Sequence, residues 1–237
     1  LVRFRHLLKE TDSFIIPAVH PDWSSSKILA MDFMAGDPIE TLEGASQWVK
    51  DQVMTDLIRL ALRELFEFGV MQTDPNFANY LYQPQTDKIV LLDFGAARTI
   101  APHIVDQYLH LLCAGLEDDV GGLTTAAQNM GLFDADTRDE HRMRIVQMLR
   151  QVFHMIREGG AIDFADQTLA NQLQAEGLAL FQDGFSPSVL PIDVLLIQRK
   201  FAGLFLLGAR LGACVNVGEI FRRHEGHLSA GQTASFQ

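Results

Sequence analysis

Asp74, Asn79 and Asp93 put two carboxylates and a carboxamide within one stretch of the chain, residues 71–95. A carboxylate and an amide oxygen brought together suit a hard divalent cation such as Mg2+, which takes oxygen ligands and retains waters and substrate phosphates. Asn79 and Asp93 are therefore the expected metal ligands. Asp74 is left to orient or deprotonate a hydroxyl or a water, so Asp74, Asn79 and Asp93 form the expected catalytic set. The plainer alternative is a loop in which Asp74 and Asn79 cap backbone groups as Asx turns, followed by an ordinary buried strand.

The flanking residues indicate what must position these groups. Pro75, with its fixed φ and missing N–H, favours an irregular loop after Asp74. Leu81 and Tyr82 can pair with Ile89, Val90 and Leu91 across a turn over residues 83–88, a hairpin that carries Asp93 back beside Asn79. Gly95 is expected to supply a positive φ just after Asp93. Upstream, Val49, Val53, Leu57, Leu60, Ala61, Leu65 and Phe68 form one apolar stripe, which predicts a helix from about Ser46 to Phe68. Gly69 should end that helix, and Val70-Met71 then leads directly into the site.

Asp-x4-Asn followed by Asp93-Phe94-Gly95, with 19 residues from one aspartate to the other, resembles the catalytic loop and metal motif of the protein-kinase superfamily. Gln72-Thr73-Asp74 stands where protein kinases carry His-Arg-Asp, so the usual arginine receptor for an activation-loop phosphate is missing. Gln-Thr-Asp-Pro-Asn-Phe-Ala-Asn, with residues 62–69 before it and 91–98 after it, is similar to the UbiB/AarF family of atypical kinases, in the branch that supports coenzyme Q biosynthesis. The similarity extends upstream to residues 14–19 and 28–36 and, more loosely, downstream to Gln198-Arg199-Lys200-Phe201-Ala202-Gly203.

The resemblance implies a mainly α fold with a small β component, an α+β kinase-like C-terminal lobe joined to the last strands of an N-terminal lobe. Residues 1–35 would be the end of that N-lobe with the hinge, and 36–237 the helical C-lobe. It implies ATP and Mg2+ as cofactors and ATPase-type activity linked to ubiquinone synthesis. Partners implied beyond ATP are quinone-precursor lipids, a membrane surface or coenzyme Q biosynthesis proteins. The location implied is the bacterial cytoplasm or the mitochondrial matrix side, peripheral to a membrane and not secreted. Met31-Asp32-Phe33-Met34 falls where a kinase hinge lies, so Met31, Asp32, Phe33, Met34, Leu81 and Asp93 are the expected nucleotide-binding residues. Two rivals share these motifs: a nucleotide-binding scaffold without turnover, and a small-molecule phosphotransferase of the aminoglycoside or choline kinase type. The second usually carries His-Gly-Asp, against Gln72-Thr73-Asp74 here.

Composition narrows the field. With 237 residues, 48% of them hydrophobic, the chain can bury one sizeable core. A formal net charge of −11 argues against a nucleic-acid footprint, which needs a basic patch. Cys113 and Cys214 stand alone, without the pattern of a disulfide framework or a zinc site. The chain does not open on Met, and only about 30 residues precede the hinge, too few for the phosphate-covering loop, lysine and glutamate of a kinase small lobe, so a fragment with little activity of its own is expected.

Phe14–Ile16 and Lys27–Phe33 read as two strands, and helices are expected near 102–116, 119–130, 136–157, 164–182 and 190–211. Arg98 is expected to pair with a helix-face carboxylate. The apolar run Phe201–Ala209 is far short of the ~20 residues of a membrane span and reads as a buried terminal helix, with a lipid- or partner-facing surface as the alternative. His224 and His227 read as solvated tail residues.

Overall fold

The computed structural model describes residues 1–158 and 160–223; His224 and His227 lie outside them. Among the described residues, helices and short strands follow in the order α1 (Val2–Leu7), β1 (Phe14–Ile15), β2 (Asp37–Pro38), α2 (Gln47–Phe66), β3 (Val70–Gln72), β4 (Tyr80–Gln83), β5 (Lys88–Leu91), β6 (Ala97–Thr99), α3 (Pro102–Glu117), α4 (Val120–Asn129), α5 (Asp139–Glu158), β7 (Ile162–Asp163), α6 (Thr168–Gln182), α7 (Ile192–Leu211) and β8 (Cys214–Val215). Residues 217–223 are again helical.

The helix under the site forms because Ser46 caps it, its hydroxyl accepting the Val49 N–H, and because Val53, Leu57, Leu60, Ala61 and Leu65 all fall on its buried side. It stops two residues short of the expected Phe68, and Gly69 then adopts φ +58°, which lets the chain reverse into β3. The predicted hairpin is present as β4 and β5, with Tyr80 opposite Leu91 and Tyr82 opposite Ile89. Asp87 takes φ +55° in its turn, and the Tyr82 hydroxyl donates to the Asp87 carboxylate at 2.7 Å. The hairpin is the centre of a four-stranded sheet, order β1-β5-β4-β2, in which β1 runs parallel to β5.

Three expectations are corrected. Residues 27–33 do not form a strand: the segment makes a single bridge, Met31 opposite Val19. The Asp32 carboxylate takes the Ala18 N–H and the Ser24 hydroxyl takes the Ala30 N–H, the two donors that the pairs on either side of the bridge would need. The helix expected from 164 starts only at Thr168, because Asp163 and Asp166 side chains capture the N–H groups of Ala165 and Thr168 in Asx turns. Gly95 is absent from the positive-φ residues; the space around it is filled by the Asp93 carboxylate, 3.1 Å from where a Cβ would stand.

α2 and α7 pack together at the centre of the core, whose main cluster runs from Phe4 and Leu8 through the hairpin to Leu204, Leu207 and Val215. Gly203, Leu204, Leu207 and Gly208 of the apolar run are buried, and Leu206 is exposed. Among the described residues, no helix is long and apolar enough to cross a membrane.

Candidate active site

β3 delivers Gln72 and Thr73, both buried, into the loop that carries Asp74. The Thr73 hydroxyl donates to the Ala96 carbonyl at 2.8 Å, fastening this loop to the turn after Asp93. Gln72 makes the second tie: its Nε2 donates to the Asp93 carbonyl at 2.7 Å, and its Oε1 accepts the Asp74 N–H at 3.0 Å. One carboxamide thus bridges the two expected catalytic aspartates.

Asn79 closes the loop. Its Nδ2 donates to Asp74 Oδ2 at 3.1 Å, and its carbonyl accepts the Leu92 N–H at 3.0 Å, so it lies beside the strand end that leads into Asp93. The orientation matters for metal binding: with the amide nitrogen committed to Asp74, the Asn79 Oδ1 is left as the ligand atom. Asp93 is exposed, and its Oδ1 accepts the Gly95 N–H at 2.7 Å. The donor set of Asn79 Oδ1 and Asp93 fits Mg2+, an oxygen-seeking ion that completes its shell with waters and phosphates. Among the described residues, no three His, Cys, Asp or Glu side chains gather as a metal cage.

The Asx-turn alternative for Asp74 and Asn79 does not hold. Asn76 makes an Asx turn by accepting the Ala78 N–H, whereas Asp74 and Asn79 hydrogen-bond each other.

The expected nucleotide-binding residues are less uniform. Met31 is half-buried at the bridge to Val19. Asp32 turns back on its own loop: the Ala18 N–H, and after it His20 at 2.8 Å, hold its carboxyl below the ordinary range. Phe33 is exposed and Met34 half-buried. Leu81 pairs with Pro38 in β2, so the chain leaving residues 31–34 is stitched directly to the hairpin, and the Gln83 side chain donates to the Ala35 carbonyl at 2.7 Å. Arg98 pairs with Asp193 on α7 at 2.6 Å, as expected of a lone arginine near a helix carboxylate.

Sequence reasoning missed the groups behind the loop. Arg199 of α7 faces Asp74 Oδ1 at 3.5 Å. Next to it Lys200 is buried, donates to the Tyr80 hydroxyl at 3.0 Å and lies 3.7 Å from the buried Glu64 of α2. The available signal was a charge on an apolar stripe. Glu64 stands one turn from Leu60 on the buried side of α2, and Lys200 falls between Ile197 and Leu204 on that of α7.

A helical lobe beneath a hairpin that presents Asp-x4-Asn and an Asp-Phe-Gly turn defines a kinase-like protein. The chain belongs to the ABC1 atypical kinase-like domain family, whose model matches residues 1–127. It is 35% identical to the mitochondrial atypical kinase COQ8 of Saccharomyces cerevisiae over 94% of its own length and 44% of that protein. To mitochondrial COQ8B of Rattus norvegicus it is 32% identical, over 92% of this chain and 41% of the relative. The chain therefore spans less than half of these curated relatives. A solved structure of Rv3197 with erythromycin, from Mycobacterium tuberculosis, superposes with a TM-score of 0.71 at 19% identity, covering 92% of this chain and 54% of the other, which is a likeness of fold.

Proposed function

We propose that this chain carries the Mg-ATP-binding, phosphoryl-transfer half of an atypical kinase or ATPase that supports ubiquinone biosynthesis, with residues 1–35 as the end of the small lobe and hinge and residues 36–237 as the large lobe. The observation that carries the reading is the Gln72 bridge, which joins Asp74 to Asp93 while Asn79 hydrogen-bonds Asp74. In this reading Asn79 and Asp93 hold the metal, and Asp74 orients the attacking hydroxyl or water. Bound Mg2+ would neutralise charge on the transferring phosphoryl group. Met31 to Met34 and Leu81 line the nucleotide end. Quinone-precursor lipids, a membrane surface or other coenzyme Q biosynthesis proteins are the partners proposed for the whole protein, at the mitochondrial matrix face or in a bacterial cytoplasm.

The test uses the full-length protein. Asp93→Asn should abolish Mg2+-dependent nucleotide binding in titration calorimetry, whereas Asp74→Asn should leave binding intact and lower phosphate release by about 10²-fold or more. Wild-type turnover in Asp93→Asn would sink the assignment. The Arg199 contact with Asp74 favours a second reading, nucleotide binding without transfer, since a cation already faces the proposed base. Absence of phosphate release from a wild-type protein that binds Mg-ATP would select it.

A further inference from the structure

The charged pair behind the loop has a geometry that stability alone does not account for. Glu64 and Lys200 are 1% and 3% exposed at their side chains, and taking two charges out of water costs more than their attraction commonly returns. Nor is the pair closed for strength. Among the described residues Glu64 Oε2 has no hydrogen-bond partner, and the ammonium stands 3.7 Å from it. What the two groups do make are directional contacts to the active-site loop. The Gln72 backbone N–H faces the Glu64 carboxylate and favours its charged form, and Lys200 donates to the Tyr80 hydroxyl.

Those contacts grip the loop at both of its ends. Gln72 is its last strand residue before Asp74 and the bridge to Asp93; Tyr80 is the first strand residue after Asn79. Between them Pro75 lies against Gly203, where a Cβ would stand 2.4 Å from the proline Cβ. We propose that Lys200 and Glu64 are positioning residues: acting through Tyr80 and Gln72, the pair fixes the loop that presents Asp74, Asn79 and Asp93. The catalytic consequence rests on the function proposed above; the positioning itself does not.

A pair that merely stabilised the fold could be exchanged for apolar side chains of similar volume without harm, whereas a positioning pair could not. The double variant Glu64→Leu/Lys200→Met separates the two cases. Each single change should lower Tm by stranding the other charge, and the double change should restore Tm to the wild-type value or above it. In that restored protein, hydrogen exchange at the Thr73, Asp74 and Gly95 amides, which are bonded to Ala96, Gln72 and Asp93, should be at least about 10-fold faster, with α3 and α5 unchanged. Phosphate release by the full-length double variant should fall at least about 10-fold as well.

Wild-type exchange at those three amides in the double variant overturns the proposal. Should that variant fail to fold, Tyr80→Phe, which removes only the hydroxyl that Lys200 holds, should speed exchange at the same amides, and unchanged exchange there overturns it equally. If exchange quickens but the wild-type full-length protein neither binds Mg-ATP nor releases phosphate, the positioning stands and the proposed function fails.

Discussion

Glu64 illustrates what one side chain contributes when its surroundings are wrong for its charge. Burial raises its pKa from 4.5 to about 7, and the neighbouring Lys200 and the Gln72 N–H only partly oppose this. Burial acts on Lys200 in the depressing sense, but Glu64 and Tyr80 outweigh it and the net direction is upward, so the lysine stays charged through the neutral range. Between pH 4.5 and 7 the folded protein therefore holds a proton on Glu64 that the unfolded chain has released. The contribution is complete below the unfolded value and disappears as pH rises through about 7. At about 1.4 kcal/mol per pH unit, the wild type should lose about 3 kcal/mol of stability across this window relative to Glu64→Leu/Lys200→Met, which carries neither group. Urea unfolding of both proteins at a series of pH values measures it, and parallel pH curves would contradict it.

At the scale of elements, α7 organises the site from below. Arg199, Lys200 and Gly203 address Asp74, Tyr80 and Pro75 in turn from one face of one helix. Gly203→Ala forces a methyl group to within 2.4 Å of Pro75, so the loop or the helix must move. The overpacking should outweigh the helix-propensity gain and leave a net loss of about 1–2 kcal/mol. Gly177→Ala in α6 meets nothing within 4 Å and should instead gain about 0.5–1 kcal/mol, so the two urea midpoints should move in opposite directions. The long helices were readable because their 3.6-residue apolar period is local, and the hairpin because its turn is. Of the two-residue strands, β1 was readable as a strand but its partner was not, and β7 and β8 were not readable at all: β1 pairs with β5 across more than 70 residues and β7 with β8 across more than 50, and nothing near Phe14 or Ile162 encodes such partners. In the site, Asp74, Asn79 and Asp93 were marked by residue type and spacing. Arg199 and Lys200 lie more than 100 residues further on, and only folding brings them under the loop.

Over the whole molecule, the core does not divide where the chain would pass from one lobe to the other. Phe4 of α1 stacks on Phe94, the residue after Asp93, with ring centroids 4.3 Å apart, and both belong to the cluster that continues into α2, α5 and α7. The first helix is thus bound by packing to the turn that carries Asp93, and what loosens one should loosen the other. Such a core should unfold as one cooperative unit, with calorimetric and van't Hoff enthalpies in agreement. Phe4→Ala, at a side chain only 1% exposed, should cost about 3–5 kcal/mol and speed exchange of the Gly95 amide beyond what the global loss explains. Phe153→Ala, in the same cluster but packed against Gly115 rather than the site, serves as the control: a comparable loss of stability with Gly95 exchange following the global change alone. Two resolved transitions in the calorimeter would separate residues 1–35 from the rest. Equal Gly95 behaviour in the two variants would remove the link between Phe4 and the turn that carries Asp93.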